Sequence, residues 1–133
     1  MDVWSFLCYD PSGERMGFHA WYDALPPALM AEVDRALDLL SREKRWVEAF
    51  YKELDGACEG LGEVRIDAPS RSTKIRICLR ILGFPDLRKR VFHLLVGFEK
   101  IIGDEYRVEC PKALRRKQGV LKDGSRAPPC EFP

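Results

Sequence analysis

Histidine is scarce in this chain, with only His19 and His93 in 133 residues, and its five cysteines stand far apart with no CxxC among them. That scatter offers no zinc-ligand spacing, so no metal is expected, and no cofactor motif is present. For a chain of this size in a reducing compartment it also argues against a disulfide framework. Cys8, Cys58, Cys78, Cys110 and Cys130 are therefore expected as free, partly buried thiols. Long apolar runs are missing too: none approaches the ~20 residues that span a bilayer. The opening MDVWSFLCYDPSG lacks the basic and apolar regions of a signal peptide. A cytosolic protein with no membrane partner is the expectation. No internal repeat and no low-complexity tract interrupts the chain.

What is present fits one domain, since chains divide only well beyond this length, and roughly 68% of the unfolded surface is buried at this size. The composition, 46% hydrophobic and 32% charged, is ordinary for a globular chain. Net charge is +1, but the sum hides an asymmetry. Residues 1–60 hold 6 Lys/Arg against 12 Asp/Glu, a balance of −6, and residues 61–133 hold 16 against 9, a balance of +7. Such a division between halves points to a polyanion partner for the second half.

Along the chain, VWSFLCY (3–9) reads as a strand ended by the turn cluster Asp10-Pro11-Ser12-Gly13. Phe18, Trp21, Tyr22 and Leu25 fall on one face of a short helix that Pro26 and Pro27 close. The next helix starts on those prolines and aligns Leu29, Val33, Ala36, Leu37 and Leu40. KRWVEAFYKEL is expected to add a further helical turn or two, and DGACEGLG to form a loop. Strands follow at about 62–68, 74–82 and 90–98, joined by APSRS and GFPDLRK, which are short enough for antiparallel hairpins. The run RVFHLLVGF is apolar throughout, as in a central strand covered on both faces. ALRRKQG after Pro111 suggests a short helix, and VLKDGSRAPPCEFP a loosely held tail. The expected fold is α+β: an antiparallel sheet of the N-terminal strand and a C-terminal meander, covered on one face by two or three helices. The domain spans 1–119, with 120–133 as a tail.

The middle strands carry the functional signal. Val64, Ile66, Ile75, Ile77, Leu79 and Ile81 alternate with Arg65, Lys74, Arg76 and Arg80. Successive strand side chains point to opposite faces, so one face is aliphatic and the other cationic. With the helices on the aliphatic face, the cations are expected to face outward. Like charges on neighbouring strands repel. Either Glu63 and Asp67 compensate them in an ion-pair lattice, or the face is a phosphate groove, for which arginine's planar fork is suited. Lys112, Arg115, Arg116 and Lys117 would extend such a groove, and Phe98 and Tyr106 are the nearest aromatics for base stacking. No helix has a basic recognition face, which favours single-stranded RNA over duplex DNA.

FHAWYDALP, LDLL, KEL, LGEVRI, IRICLRI and LLVGFEK, in that order over about residues 3–112, resemble the RelE/ParE toxin superfamily, most closely its HigB-like, phage-derived branch. The resemblance implies a type II toxin held in check by a cognate antitoxin protein. RelE- and HigB-like members act on mRNA at the ribosome as metal-independent endoribonucleases, the 2′-hydroxyl attacking the adjacent phosphate and the 5′-oxygen leaving. Arg76 matches the arginine of the family's Tyr-Arg strand, and Arg65 that of its Glu-apolar-Arg strand. Lys52 stands where a phosphate-contacting lysine is common, Lys100 at the basic residue after the last strand, and Tyr106 near the tyrosine presented to the nucleotide. By this carry-over Arg76, Arg65, Lys100 and Tyr106 are the catalytic candidates; Lys52, Lys74, Arg80, Lys112, Arg115, Arg116 and Lys117 are RNA-binding. One position departs: Val96 replaces a histidine that often precedes the Gly-Phe pair, and His93, three residues earlier, is expected on the opposite face of its strand. That leaves Lys100 or Tyr106 as base, both normally protonated at neutral pH. A ParE-like toxin acting on gyrase by protein contact, and an inactive binding module of the same fold, are the alternatives.

Overall fold

Aliphatic side chains alternate with polar ones through three long runs, and each run forms a strand of an antiparallel meander: β3 (Gly62–Pro69), β4 (Arg76–Asp86) and β5 (Val91–Lys100). A computed structural model describes residues 3–69 and 76–132; Lys74 lies outside them. Two shorter strands, β1 (Ser5–Cys8) and β2 (Tyr51–Glu53), complete the sheet in the order β1-β5-β4-β3-β2. β1 runs parallel to β5, made possible by the two-helix crossover that separates β1 from the meander. The fold is α+β, as the sequence implied, with a mixed rather than wholly antiparallel sheet. β5 is an interior strand between β1 and β4, in keeping with its apolar run, and β4 is the central one. β4 continues through Gly83–Asp86, part of the segment expected as a connector, and the hairpin turns at 87–90.

Two helices cover one face. α1 (Phe18–Asp23) buries Phe18 and Tyr22, and the Tyr22 hydroxyl donates to Asp34 at 2.7 Å on α2 (Pro27–Arg42). Pro27 opens α2, where a missing N–H costs nothing. Its stripe Val33, Leu37 and Leu40 packs with Val64, Ile66, Leu79, Ile81, Phe92 and Leu94 into one core. After α2 the chain does not continue as helix. The Trp46 indole donates to the Leu40 carbonyl at 2.9 Å, satisfying an end group of α2, and its ring packs against Trp4, Tyr51 and Phe92. That anchor turns 47–50 back onto the sheet, so Tyr51–Glu53 becomes the edge strand β2 where a helical turn was expected.

The opposite face is covered as well, by α3 (Tyr106–Lys122). It is far longer than the short helix expected after Pro111, which lies inside it. Cys110, Ala113 and Val120 of α3 meet Leu82, Phe84, Leu95, Val96 and Phe98 in a second core. The segment expected as a loose tail is built into the fold: 120–122 finish α3, Gly124–Arg126 forms a short 3-10 turn, and 126–130 lie along β1. The amides of Cys8 and Asp10 donate to the carbonyls of Pro128 and Arg126, and the Cys130 amide donates to the Phe6 carbonyl. Phe132 packs on Tyr22 at 4.7 Å.

The expectation of free thiols is overturned for four of the five cysteines. Cys8 bonds to Cys130 and Cys58 to Cys110, leaving Cys78 free. Both bridges tie the C-terminal quarter to earlier elements, across separations of 122 and 52 residues that no local spacing reveals. Among the described residues no helix is long and apolar enough to cross a membrane.

Candidate functional site

Strand register decides which side chains share the α3-facing side. Arg65 is directly opposite Arg80, and Arg80 opposite Phe98. The next row holds Asp67, Cys78 and Lys100, and the row on the other side Glu63, Leu82 and Val96, with Lys52 of β2 opposite Glu63. Arg76 follows at the open end of β4. Apart from Lys74, the strand cations named from the sequence thus lie on one side, together with Lys52 and Lys100.

They are not all open. Arg80 is only 7% exposed and Glu63 only 1%, under the start of α3. Glu63 Oε1 lies 2.8 Å from Arg80 Nε and 3.4 Å from Arg65 Nε, and Asp67 Oδ1 lies 3.0 Å from Arg80 Nη1. The Arg80 Nε–H is close to Glu63 without being aligned on it, so that contact is charge pairing rather than a formed hydrogen bond. Arg80 Nη1 donates to Asp67 and to the Leu79 carbonyl. The outward cationic face expected from alternation is corrected here: Arg80 is covered and held by two carboxylates. Arg65 keeps 28% of its side chain exposed, and Arg76 is exposed.

Tyr106 opens α3 and donates its hydroxyl to Glu63 Oε1 at 2.9 Å. Burial, followed by the Glu63 charge, pushes its pKa up to about 12. Its proton is retained at neutral pH, so Tyr106 serves as a donor rather than as the base the sequence left open. The ammonium of Lys100 stands 5.9 Å from the centre of the Tyr106 ring. Phe98 is buried edge-on against the same ring at 5.2 Å, so the two aromatics considered as base platforms pack on each other.

The basic run on α3 divides. Arg116 donates to the Leu95 carbonyl and lies over the Tyr9 ring, and burial lowers its pKa. Lys117 donates to the Gly60 carbonyl and lies over the Phe84 ring. Both hold α3 to the body instead of extending a groove. Lys112 pairs with Glu109 at 3.3 Å, and Arg115 is exposed.

Val96 is buried at the position where the resemblance anticipates a histidine. His93 does not lie on the opposite face. The β4–β5 register shifts between Leu82 and Gly83, a bulge that leaves Leu95 without a partner and reverses the alternation. His93 consequently shares the α3 side, stacked on Phe84 at 4.5 Å. It is still no substitute, because Phe84 is four residues from Arg80, about 13 Å along the strand. Burial lowers the His93 pKa, and its Nδ1 has no hydrogen-bond partner.

At the edge of the sheet, β3 and α2 enclose a cleft of about 370 Å³. Arg65, Asp67 and Arg76 border it on the sheet side and Glu32 and Arg35 on the helix side, so its rim carries both signs of charge, and Leu39, Leu40 and Phe50 supply apolar surface. Leu39 and Phe50 are 43% and 44% exposed. Arg35 was invisible as a site residue because it reads as part of a solvated helix face; it pairs with Glu32 at 2.6 Å. Glu63 and Asp67 could be read as partners, since both alternate with Arg65 on one strand face. No protein-family model matches the chain, and no curated protein and no solved structure matches it.

Proposed function

We propose that this chain is a toxin of RelE/HigB type that grips single-stranded RNA with Arg65 and Arg76 and cleaves mRNA, with ribosome and antitoxin as its partners. The observation that carries the reading is that these two arginines, eleven residues apart, border one cleft, Arg76 exposed and Arg65 partly so. Guanidinium groups there would neutralise charge building on a pentacoordinate phosphorus as the 2′-oxygen attacks and the 5′-oxygen leaves. The order strand, two helices, three-strand meander also agrees with the segment order of the resemblance. The cytoplasm is where such a protein meets mRNA.

The test is cleavage of a defined mRNA by purified protein, with and without ribosomes. Wild type is expected to cut, and Arg76→Ala to lose about 10²–10³-fold in rate, as for loss of one group stabilising a transition-state charge, with an unchanged thermal midpoint. Full activity in the variant would remove Arg76 from the site, and absence of cleavage by wild type would end the nuclease reading. The exposed Leu39 and Phe50 favour a second reading, in which the same cleft docks a protein, as in a gyrase-directed or inactive relative. Induction would then produce a DNA-damage response, or no arrest at all, in place of rapid translation arrest.

A further inference from the structure

We propose that the Cys58–Cys110 disulfide is a redox latch: oxidised, it pins the first turns of α3 over Glu63 and Arg80; reduced, it lets them lift. The hold of α3 on the sheet is unevenly distributed. Its C-terminal half is tied by Arg116 to the Leu95 carbonyl, by Lys117 to the Gly60 carbonyl, and by buried Val120. Its first turns are tied by the Tyr106 hydroxyl on Glu63, by the edge of the same ring on Phe98, and by the bond from Cys110 to Cys58. Between the halves stands Pro111, which has no N–H to return to the Arg107 carbonyl and so leaves a gap in the helical ladder. On the other side the helix is entered through a largely exposed turn with Gly103 at φ +95, held within itself by the amides of Ile101, Ile102 and Gly103 donating to the Glu105 carboxylate. The segment from Gly103 to Pro111 thus lies between a glycine turn and a gap in the helical ladder, and its one covalent bond to the body is made at Cys110, beside that gap.

The latch can be reached. Cys58 closes a short 3-10 turn, Gly56–Cys58, in the exposed connection between β2 and β3, and is half-buried where Cys110 is fully buried. A thiolate of a dithiol reductant attacks Cys58 Sγ, and Cys110 leaves as a thiolate that takes up a proton. The second thiolate of the reductant then displaces Cys58. The dithiol gives up two electrons and two protons and becomes a disulfide, and the protein gains two thiols. With the bond gone, moving Tyr106 off Glu63 costs one hydrogen bond, the edge contact with Phe98 and the contact of the Lys100 ammonium with its ring. Water then reaches Arg80, which joins Arg65 and Arg76 as a third accessible guanidinium. A reducing cytosol would hold the latch open. The claim that this strengthens RNA binding rests on the function proposed above; the latch itself does not.

The test is hydrogen exchange on five samples: oxidised wild type, wild type with dithiothreitol, Cys58→Ser/Cys110→Ser, and Cys8→Ser/Cys130→Ser with and without dithiothreitol. Amides of 106–110 are expected to exchange about tenfold faster whenever the Cys58–Cys110 bond is absent, while α2 stays protected. Oxidised Cys8→Ser/Cys130→Ser should remain slow. Equal rates in oxidised wild type and Cys58→Ser/Cys110→Ser, or acceleration in α2 and α3 together, would overturn the latch, the latter marking a staple of the whole fold. Salt-dependent binding of a short single-stranded RNA separates the two claims. Freed Arg80 should steepen the slope of log K against log salt by about 0.7, one further phosphate contact. A loosened α3 with no RNA binding would support the latch and overturn the RNA reading.

Discussion

Two arginines placed opposite each other on neighbouring strands repel. Arg65 and Arg80 occupy that arrangement because Glu63 sits within 3.4 Å of one and 2.8 Å of the other. The three are unequal. Glu63 and Arg80 are out of water, so removing either partner leaves a buried charge without its counterpart, a loss of about 3–5 kcal/mol. Arg65 is partly solvated and its contact is long, which puts its pairing in the range of about 0–1 kcal/mol. Glu63→Gln is therefore expected to lower unfolding stability by several times more than Arg65→Ala, measured by urea denaturation at neutral pH. Glu63→Met combined with Arg80→Met should cost less than either change alone, because the desolvated charges leave together. Equal costs for Glu63→Gln and Arg65→Ala would contradict this division. By the same reasoning the arginine that stabilises the fold is Arg80, while Arg65 is partly and Arg76 largely exposed.

At the scale of elements, what could be read from the chain was what repeats locally. The stripe of α2 and the alternation of β3 and β4 are periodic over many residues, and both appear where the periodicity put them. α3 escaped because its inward face offers little apolar signal: Cys110, Ala113 and Val120 are its buried residues, and Pro111 reads as a helix start rather than an interior position. The single-residue bulge at Leu95 escaped because alternation is counted assuming an unbroken strand, and one extra residue moved His93 to the other face. For the site, the clustering of Arg65, Arg76 and Arg80 on one side was legible from alternation, whereas Lys100 joins them through the β4–β5 register. The closing of that side by α3 was not legible, since it depends on contacts more than forty residues apart, such as Tyr106 with Glu63. Gly97 shows an element contact of the same long-range kind. A Cβ there would meet Trp21 Cε3 of α1 at 2.0 Å, so the helix lies directly on the backbone of β5. Gly97→Ala must displace the indole and is expected to cost about 1–3 kcal/mol. A shift in tryptophan emission should accompany the loss. An alanine variant as stable as wild type would mean that α1 can slide away from β5 freely.

Over the whole molecule, the C-terminal segment closes the fold at both ends of the chain, and one of its fastenings is titratable. The Glu131 amide donates to His19 Nε2 at 3.3 Å, which requires that nitrogen to be unprotonated. Burial, helped by the Arg15 charge and opposed by Asp10, Asp23 and Glu131, lowers the His19 pKa from 6.5. On the other side of the sheet, burial lowers that of His93, with Asp86 opposing and Lys89 assisting. The unfolded chain binds these protons near pH 6.5, while the folded chain resists them. Below that pH the unfolded state holds more protons, and stability falls as pH falls. The contribution is complete above about pH 6.5 and is lost between there and the depressed folded values. Asp23 and Asp67, also lowered, act in a separate window below their ordinary 3.8, so the slope between about pH 5 and 6.5 belongs to the histidines. Urea midpoints measured across that interval should decline toward acid. His19→Gln, which keeps an acceptor for Glu131, combined with His93→Phe, which keeps a ring against Phe84, should flatten the decline. A slope that survives both substitutions would place the titrating group elsewhere and leave the C-terminal fastening indifferent to protons.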